Sequence, residues 1–230
     1  MFYGCKIAVK TCKFAFKRPK LLFKKYILPG ASVGIWEISE SLEKLKTSVD
    51  LDSEDHKKFT QIRNEEKKRE WLAVRVLTQE LTGKRSIKIV YSESGKPKLM
   101  NESQKFSISH TKRFAAVIVD SFETGIDIQY IDPKIERIAH KFMSDAELRS
   151  VNKENKIEQL SVYWCAKECL YKLHGIKNLE FKKELIIAPF NYAGSGSIKG
   201  KIMSGKQEQE YKLCYEKIAD DTLLVYVLNT

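Results

Sequence analysis

Two stretches of this chain carry a helical repeat of apolar positions, and they stand about ninety residues apart. In Glu65–Leu81 the apolar stripe is Trp71, Leu72, Val74, Leu77 and Leu81, the spacing of one face of an α-helix. In Ile157–His174 the apolar residues run almost all round: Leu160, Val162, Tyr163, Cys165, Ala166, Cys169, Leu170 and Leu173. That pattern predicts a helix buried on most sides. Short β-type runs surround the two helices. Ser32–Ile38, Ser86–Tyr91, Phe106–His110 and Phe114–Asp120 read as strands in the first half. Gly125–Gln129, Leu185–Ala188, Ser197–Met203, Tyr211–Lys217 and Thr222–Leu228 read so in the second. Further helices are expected over Ile135–Phe142 and Ser144–Val151, the latter opened by a capping box of Ser144 and Glu147. Turns are expected at Ser92–Pro97, Gly194–Gly196 and Ala219–Asp221. The order predicts an α+β fold of two pseudo-symmetric halves, 26–120 and 121–230, each a helix on a mainly antiparallel sheet.

Against this background the charged residues of the second helix stand out. Trp164, Glu168 and Lys172 are four apart and share one helical face. A carboxylate and an ammonium on so apolar a helix are costly unless they pair, bind a metal or face a cleft. The plain alternative is an i,i+4 salt bridge. In Gly125–Gln129, Ile126 and Ile128 point one way while Asp127 and Gln129 point the other. Aspartate is depleted from strands, so Asp127 is either exposed or partnered, and a hard cation such as Mg²⁺ suits it. Taken together, Asp127, Glu168 and Lys172 could hold a cation and a phosphate at one place. His110, after Ser107 and Ser109 at a strand end, and Lys96, in the turn Gly95-Lys96-Pro97, are possible phosphate contacts. Arg69 and Arg75, six apart on the first helix, lie too far round for one narrow face, and the plain alternative for each is solvation.

The net charge is +11, but residues 1–25 supply eight basic side chains and no acidic one, leaving about +3 for the rest. This segment is read as a basic, poorly ordered extension; its lysines recur too often for a signal peptide. Nothing approaches the apolar length of a membrane span. The five cysteines show no metal-knuckle spacing, and Cys165 and Cys169 read as core residues of a reduced, cytoplasmic protein.

Five segments in order resemble motifs of the 4′-phosphopantetheinyl transferases, of the larger two-halved type similar to the surfactin-synthetase activator. They are Arg69–Arg75, Gly95-Lys96-Pro97, Ser107–His110, Gly125-Ile126-Asp127-Ile128, and Trp164–Lys172, which reads W-x-x-K-E-x-x-x-K. The resemblance implies transfer of the phosphopantetheine arm of coenzyme A to a serine of an acidic acyl or peptidyl carrier protein, releasing 3′,5′-ADP. The cleft would lie between the halves of a monomer. Asp127 and Glu168, with Gln129, would bind Mg²⁺. Glu168 would also act as base, and Lys172 would neutralise phosphate charge. Lys96, Ser109, His110 and Arg69 would hold the nucleotide phosphates. Many members have Glu where this chain has Gln129, which predicts weaker metal binding. Two other classes remain open at this point. One is a non-catalytic relative that binds coenzyme A or a carrier; the other is a basic nucleic-acid-binding protein, for which no binding motif is visible.

Overall fold

A computed structural model describes residues 21–175, 178–205 and 207–229. The first half contains β1 (Leu21–Leu28), β2 (Ala31–Glu37), α1 (Leu42–Thr47), α2 (Ser53–Gln61), α3 (Glu65–Thr82), β3 (Ile89–Tyr91), β4 (Pro97–Leu99), β5 (Lys105–His110) and β6 (Phe114–Asp120). The second contains β7 (Ile126–Tyr130), α4 (Ile135–Phe142), α5 (Asp145–Arg149), α6 (Lys156–His174), β8 (Leu185–Ile187), β9 (Ser195–Ser204), β10 (Gln207–Ala219) and β11 (Thr222–Leu228). The first sheet has the order β1-β2-β6-β5 and the second β7-β11-β10-β9-β8, both antiparallel; β3 and β4 form a separate hairpin. The α+β, two-halved reading stands.

The two sheets pack face to face, with one long helix on each outer surface. In β6, Ala115, Val117 and Val119 join Leu72, Ala73 and Leu77 of α3, while Phe114, Ala116 and Ile118 enter the core between the sheets. In β11, Leu223, Val225 and Val227 pack beneath α6, while Leu224 and Tyr226 enter that same inter-sheet core. Both strands are covered on both faces. That is why they read as unbroken apolar runs rather than as alternating ones.

Several boundaries depart from the sequence reading, among them the start of β3 at Ile89 rather than Ser86 and the span of β10 over Gln207–Ala219 rather than Tyr211–Lys217. Residues 21–25, assigned to the basic extension, lie in β1 and pair with β2; the remainder of that extension falls outside the described residues. Lys24 donates from Nζ to the Glu80 carbonyl at 2.9 Å, so the strand's basic residues do not bar it from the sheet. The segment Pro97–Leu99, too short to register as a strand, pairs with β3 and makes Gly95-Lys96-Pro97 a hairpin turn. Ser195 and Gly196, expected in a turn, already pair with Glu216 and Tyr215. There the Tyr215 ring covers Gly196 so closely that an added Cβ would lie 3.0 Å from it.

Caps fix the ends of the long helices. The Asn64 side chain accepts from the Lys67 N–H at the start of α3, and Gly83 and Gly175 close α3 and α6 in left-handed conformation. The Ser144–Glu147 capping box forms as expected.

Candidate active site

The site lies where the outer strands of the two sheets meet. Ser107 Oγ of β5 accepts from the Ile126 N–H at 3.2 Å, and Ser109 Oγ donates to Asp127 Oδ1 at 2.8 Å. Two open sheet edges are thereby joined by side chains, and Asp127 is carried to the junction. Gly125 brings α6 against this strand. A Cβ at position 125 would stand 2.0 Å from the Cys169 carbonyl oxygen, so only glycine permits the approach.

Asp127 is 6% exposed, so it is not a solvent-facing strand residue. Its Oδ1 also accepts from Lys172 Nζ at 2.7 Å, and Lys172 donates to the Ile126 carbonyl at 3.0 Å. The expected alternative, a Glu168–Lys172 bridge along the helix, is replaced by this ion pair across to β7. Burial works to lower the Lys172 pKa, but the negative charges of Asp127 and Glu168 outweigh it, and the pKa is raised.

Glu168 is half-buried, and no donor or cation among the described residues bonds to it. Burial and then the nearby Asp127 charge push its pKa up, against the pull of Lys172. Two carboxylates that raise each other's cost and lack enough positive charge suit a divalent cation, whose binding would remove that cost. Among the described residues no three His, Cys, Asp or Glu side chains gather as a complete metal cage. Such a pair fits Mg²⁺, which keeps water and takes oxygens from a phosphate substrate. Gln129 follows Asp127 on the same strand face and is exposed. Cys165 and Cys169 are fully buried in the core beneath α6, and burial raises both thiols well above their usual range.

The other predicted residues surround this pair. His110 Nδ1 faces Glu70 Oε2 at 2.9 Å. Lys96 Nζ donates to the Leu173 carbonyl at 2.6 Å and to Glu123 at 2.5 Å, tying the hairpin of the first half to the end of α6. Arg69 is half-buried, and its Nε has no hydrogen-bond partner among the described residues. Arg75 is not solvated: it is 2% exposed, bonds Asp55 through Nε at 3.1 Å, and lies 3.1 Å over the Trp71 ring. Trp164, Phe142, Tyr171 and Phe181 line an open apolar hollow of about 630 Å³ that Glu168 borders.

Sequence reasoning left two groups without a role. Lys167 is fully buried and donates from Nζ to Glu147 Oε2 at 2.8 Å and to the Phe181 carbonyl at 2.8 Å. Glu70 is 1% exposed. Its position could have been found from spacing, since Ala73, Val74 and Leu77 follow at three, four and seven residues and place it on the buried stripe.

Residues 123–225, which include the strand of Asp127 and all of α6, match the sequence model of the 4′-phosphopantetheinyl transferase superfamily. That segment of the chain is similar to this family. The match supports a role in phosphopantetheine transfer in general terms. A comparison with curated proteins finds no match. No helix among the described residues is long and apolar enough to cross a membrane.

Proposed function

We propose that this transferase moves the 4′-phosphopantetheine arm of coenzyme A onto a serine hydroxyl of an acidic acyl or peptidyl carrier protein in the cytoplasm, with Mg²⁺. The observation that carries the reading is Glu168. It is a half-buried carboxylate with a raised pKa and no bonded partner among the described residues, beside an Asp127 already held by Ser109 and Lys172.

The serine oxygen attacks the pyrophosphate phosphorus that bears the pantetheine arm. A serine O–P bond forms, the bridging P–O bond breaks, and 3′,5′-ADP leaves. Glu168 takes the serine proton as general base. Asp127 and Glu168 are the metal ligands, with Gln129 as a neutral donor on the same strand face. The cation, when bound, neutralises pyrophosphate charge. Lys172, fixed by Asp127, presents positive charge to the reacting phosphate. His110, Lys96, Arg69 and Ser109 surround the nucleotide phosphates, with Ser109 acting through Asp127. Lys141 at the rim of the apolar hollow suits the acidic carrier. One chain can form the site without a partner, because both halves of it come from one polypeptide.

Intact-mass measurement of an apo acyl carrier protein, incubated with the enzyme, coenzyme A and Mg²⁺, tests this. One phosphopantetheine mass should be gained, and lost with EDTA or Glu168→Ala. Undiminished transfer by both Glu168→Ala and Asp127→Ala would sink the assignment.

A further inference from the structure

The buried carboxylate of Glu70 has no part in the chemistry above, yet it sits against the histidine of the nucleotide site. Its Oε2 lies 2.9 Å from His110 Nδ1 and 2.6 Å from Lys67 Nζ, while Oε1 is buried without a hydrogen-bond partner among the described residues. The His110 side chain is 38% exposed, so one ring nitrogen is held inside and the ring still reaches solvent. Desolvating a carboxylate for this purpose is costly, and a contact with a long exposed lysine such as Lys67 returns little of that cost.

We propose that Glu70 is a positioning residue for coenzyme A binding: it accepts the Nδ1 proton of His110, fixes the ring, and turns Nε2 toward the incoming phosphate. The inference rests on the transferase reading above. When the anion arrives, a proton from solvent on Nε2 completes a chain of carboxylate, imidazolium and phosphate, with charge alternating along it. The groups that face the ring are Glu70 and Lys67 from α3, Lys172 from α6 and Asp127 from β7. The two cations among them oppose protonation, and the two carboxylates favour it. Glu70 is the only one of the four with a direct bond to the ring among the described contacts. A structural charge pair with Lys67 alone would not require the histidine.

Two measurements test this on the intact enzyme. Nitrogen NMR of the ligand-free protein, at a pH where His110 is neutral, should place the ring proton on Nδ1; in Glu70→Ala it should move toward Nε2. His110→Gln identifies the signal. An unchanged tautomer would overturn the proposal. Calorimetric titration with coenzyme A should then show binding weakened about tenfold in Glu70→Gln, which keeps volume and an acceptor but loses the charge. In the His110→Gln background the same change should cost less than about twofold, as expected when two residues act as one unit. Equal weakening in both backgrounds would also overturn it, by assigning Glu70 a purely structural role. Failure of the wild-type enzyme to bind coenzyme A would defeat the functional reading instead, and the tautomer result would still decide the Glu70 contact.

Discussion

Removing Glu147 should damage this protein far more than removing the lysine it pairs with. Glu147 accepts from Lys167 Nζ and the Ile187 N–H at 2.8 Å, and from the Ser144 N–H at 2.7 Å. It therefore joins α5, α6 and β8. Glu147→Ala leaves a fully buried ammonium with only the Phe181 carbonyl, a loss of about 3–5 kcal/mol for an uncompensated charge. It also strips an acceptor from two backbone N–H groups, at about 1–3 kcal/mol each where they stay buried. The sum reaches about 5 kcal/mol or more, comparable with the roughly 5–15 kcal/mol that holds a whole domain. In Lys167→Met the carboxylate keeps both backbone donors, so the loss stays near the lower end, about 3 kcal/mol. At about 2–4 °C per kcal/mol for a chain of this size, the two variants should differ by at least about 4 °C in Tm. A double Glu147→Leu/Lys167→Met variant should recover about 2 kcal/mol over Glu147→Ala, because no charge is left unpaired. Urea titration followed by circular dichroism supplies the free energies. Equal losses in the two single variants, or losses below about 1 kcal/mol in both, would refute the reasoning, since surface pairs behave that way.

Other consequences are open to similar checks. Glu168→Gln should abolish carrier modification yet raise Tm by a few degrees at pH 8 in EDTA. The raised pKa means that the ionised carboxylate costs stability above the folded pKa and nothing below the ordinary carboxylate range, so the gain should vanish near pH 4. A gain that persists there would contradict the electrostatic cause. Gly125→Ala should cost about 3 kcal/mol or more, because its Cβ meets backbone rather than a movable side chain. A melting temperature and activity equal to wild type would show that α6 can retreat freely. Asp55→Ala should destabilise by about 3–5 kcal/mol by leaving buried Arg75 unpaired. Trp71 fluorescence should report the loss, and a change under about 1 kcal/mol would mean that the Trp71 ring alone satisfies the guanidinium.

How far the sequence could be read depended on how many faces an element buries. β6, β11 and α4 fall on their expected limits. In β6 and β11 both faces are apolar, and α4 has a sharply divided pattern. β1 was hidden because Lys24 and Lys25 interrupt its apolar residues, so its membership of the sheet depends on pairing with β2 rather than on its own pattern. At the site, the proximity of Asp127, Glu168 and Lys172 was legible because charge is conspicuous on an apolar helix and strand. The partner of Lys172 was not. A four-residue spacing favours Glu168, whereas the close packing at Gly125 puts Asp127 nearer. The pairing of Arg75 is hidden for a related reason. Its partner lies twenty residues earlier on another helix, and nothing in the spacing links them.

Among the described residues the strand of Asp127 pairs along the sheet only with β11, whose last residue is Leu228. Nearly a hundred residues therefore emerge from the ribosome after Asp127 before its strand acquires a neighbour. The first sheet waits as well, because Leu224 and Tyr226 fill the core against its inner face. Local helices can form during synthesis, but closure of the site is a late, long-range event. A nascent chain halted before Thr222 would hold every residue of the proposed chemistry and none of its architecture.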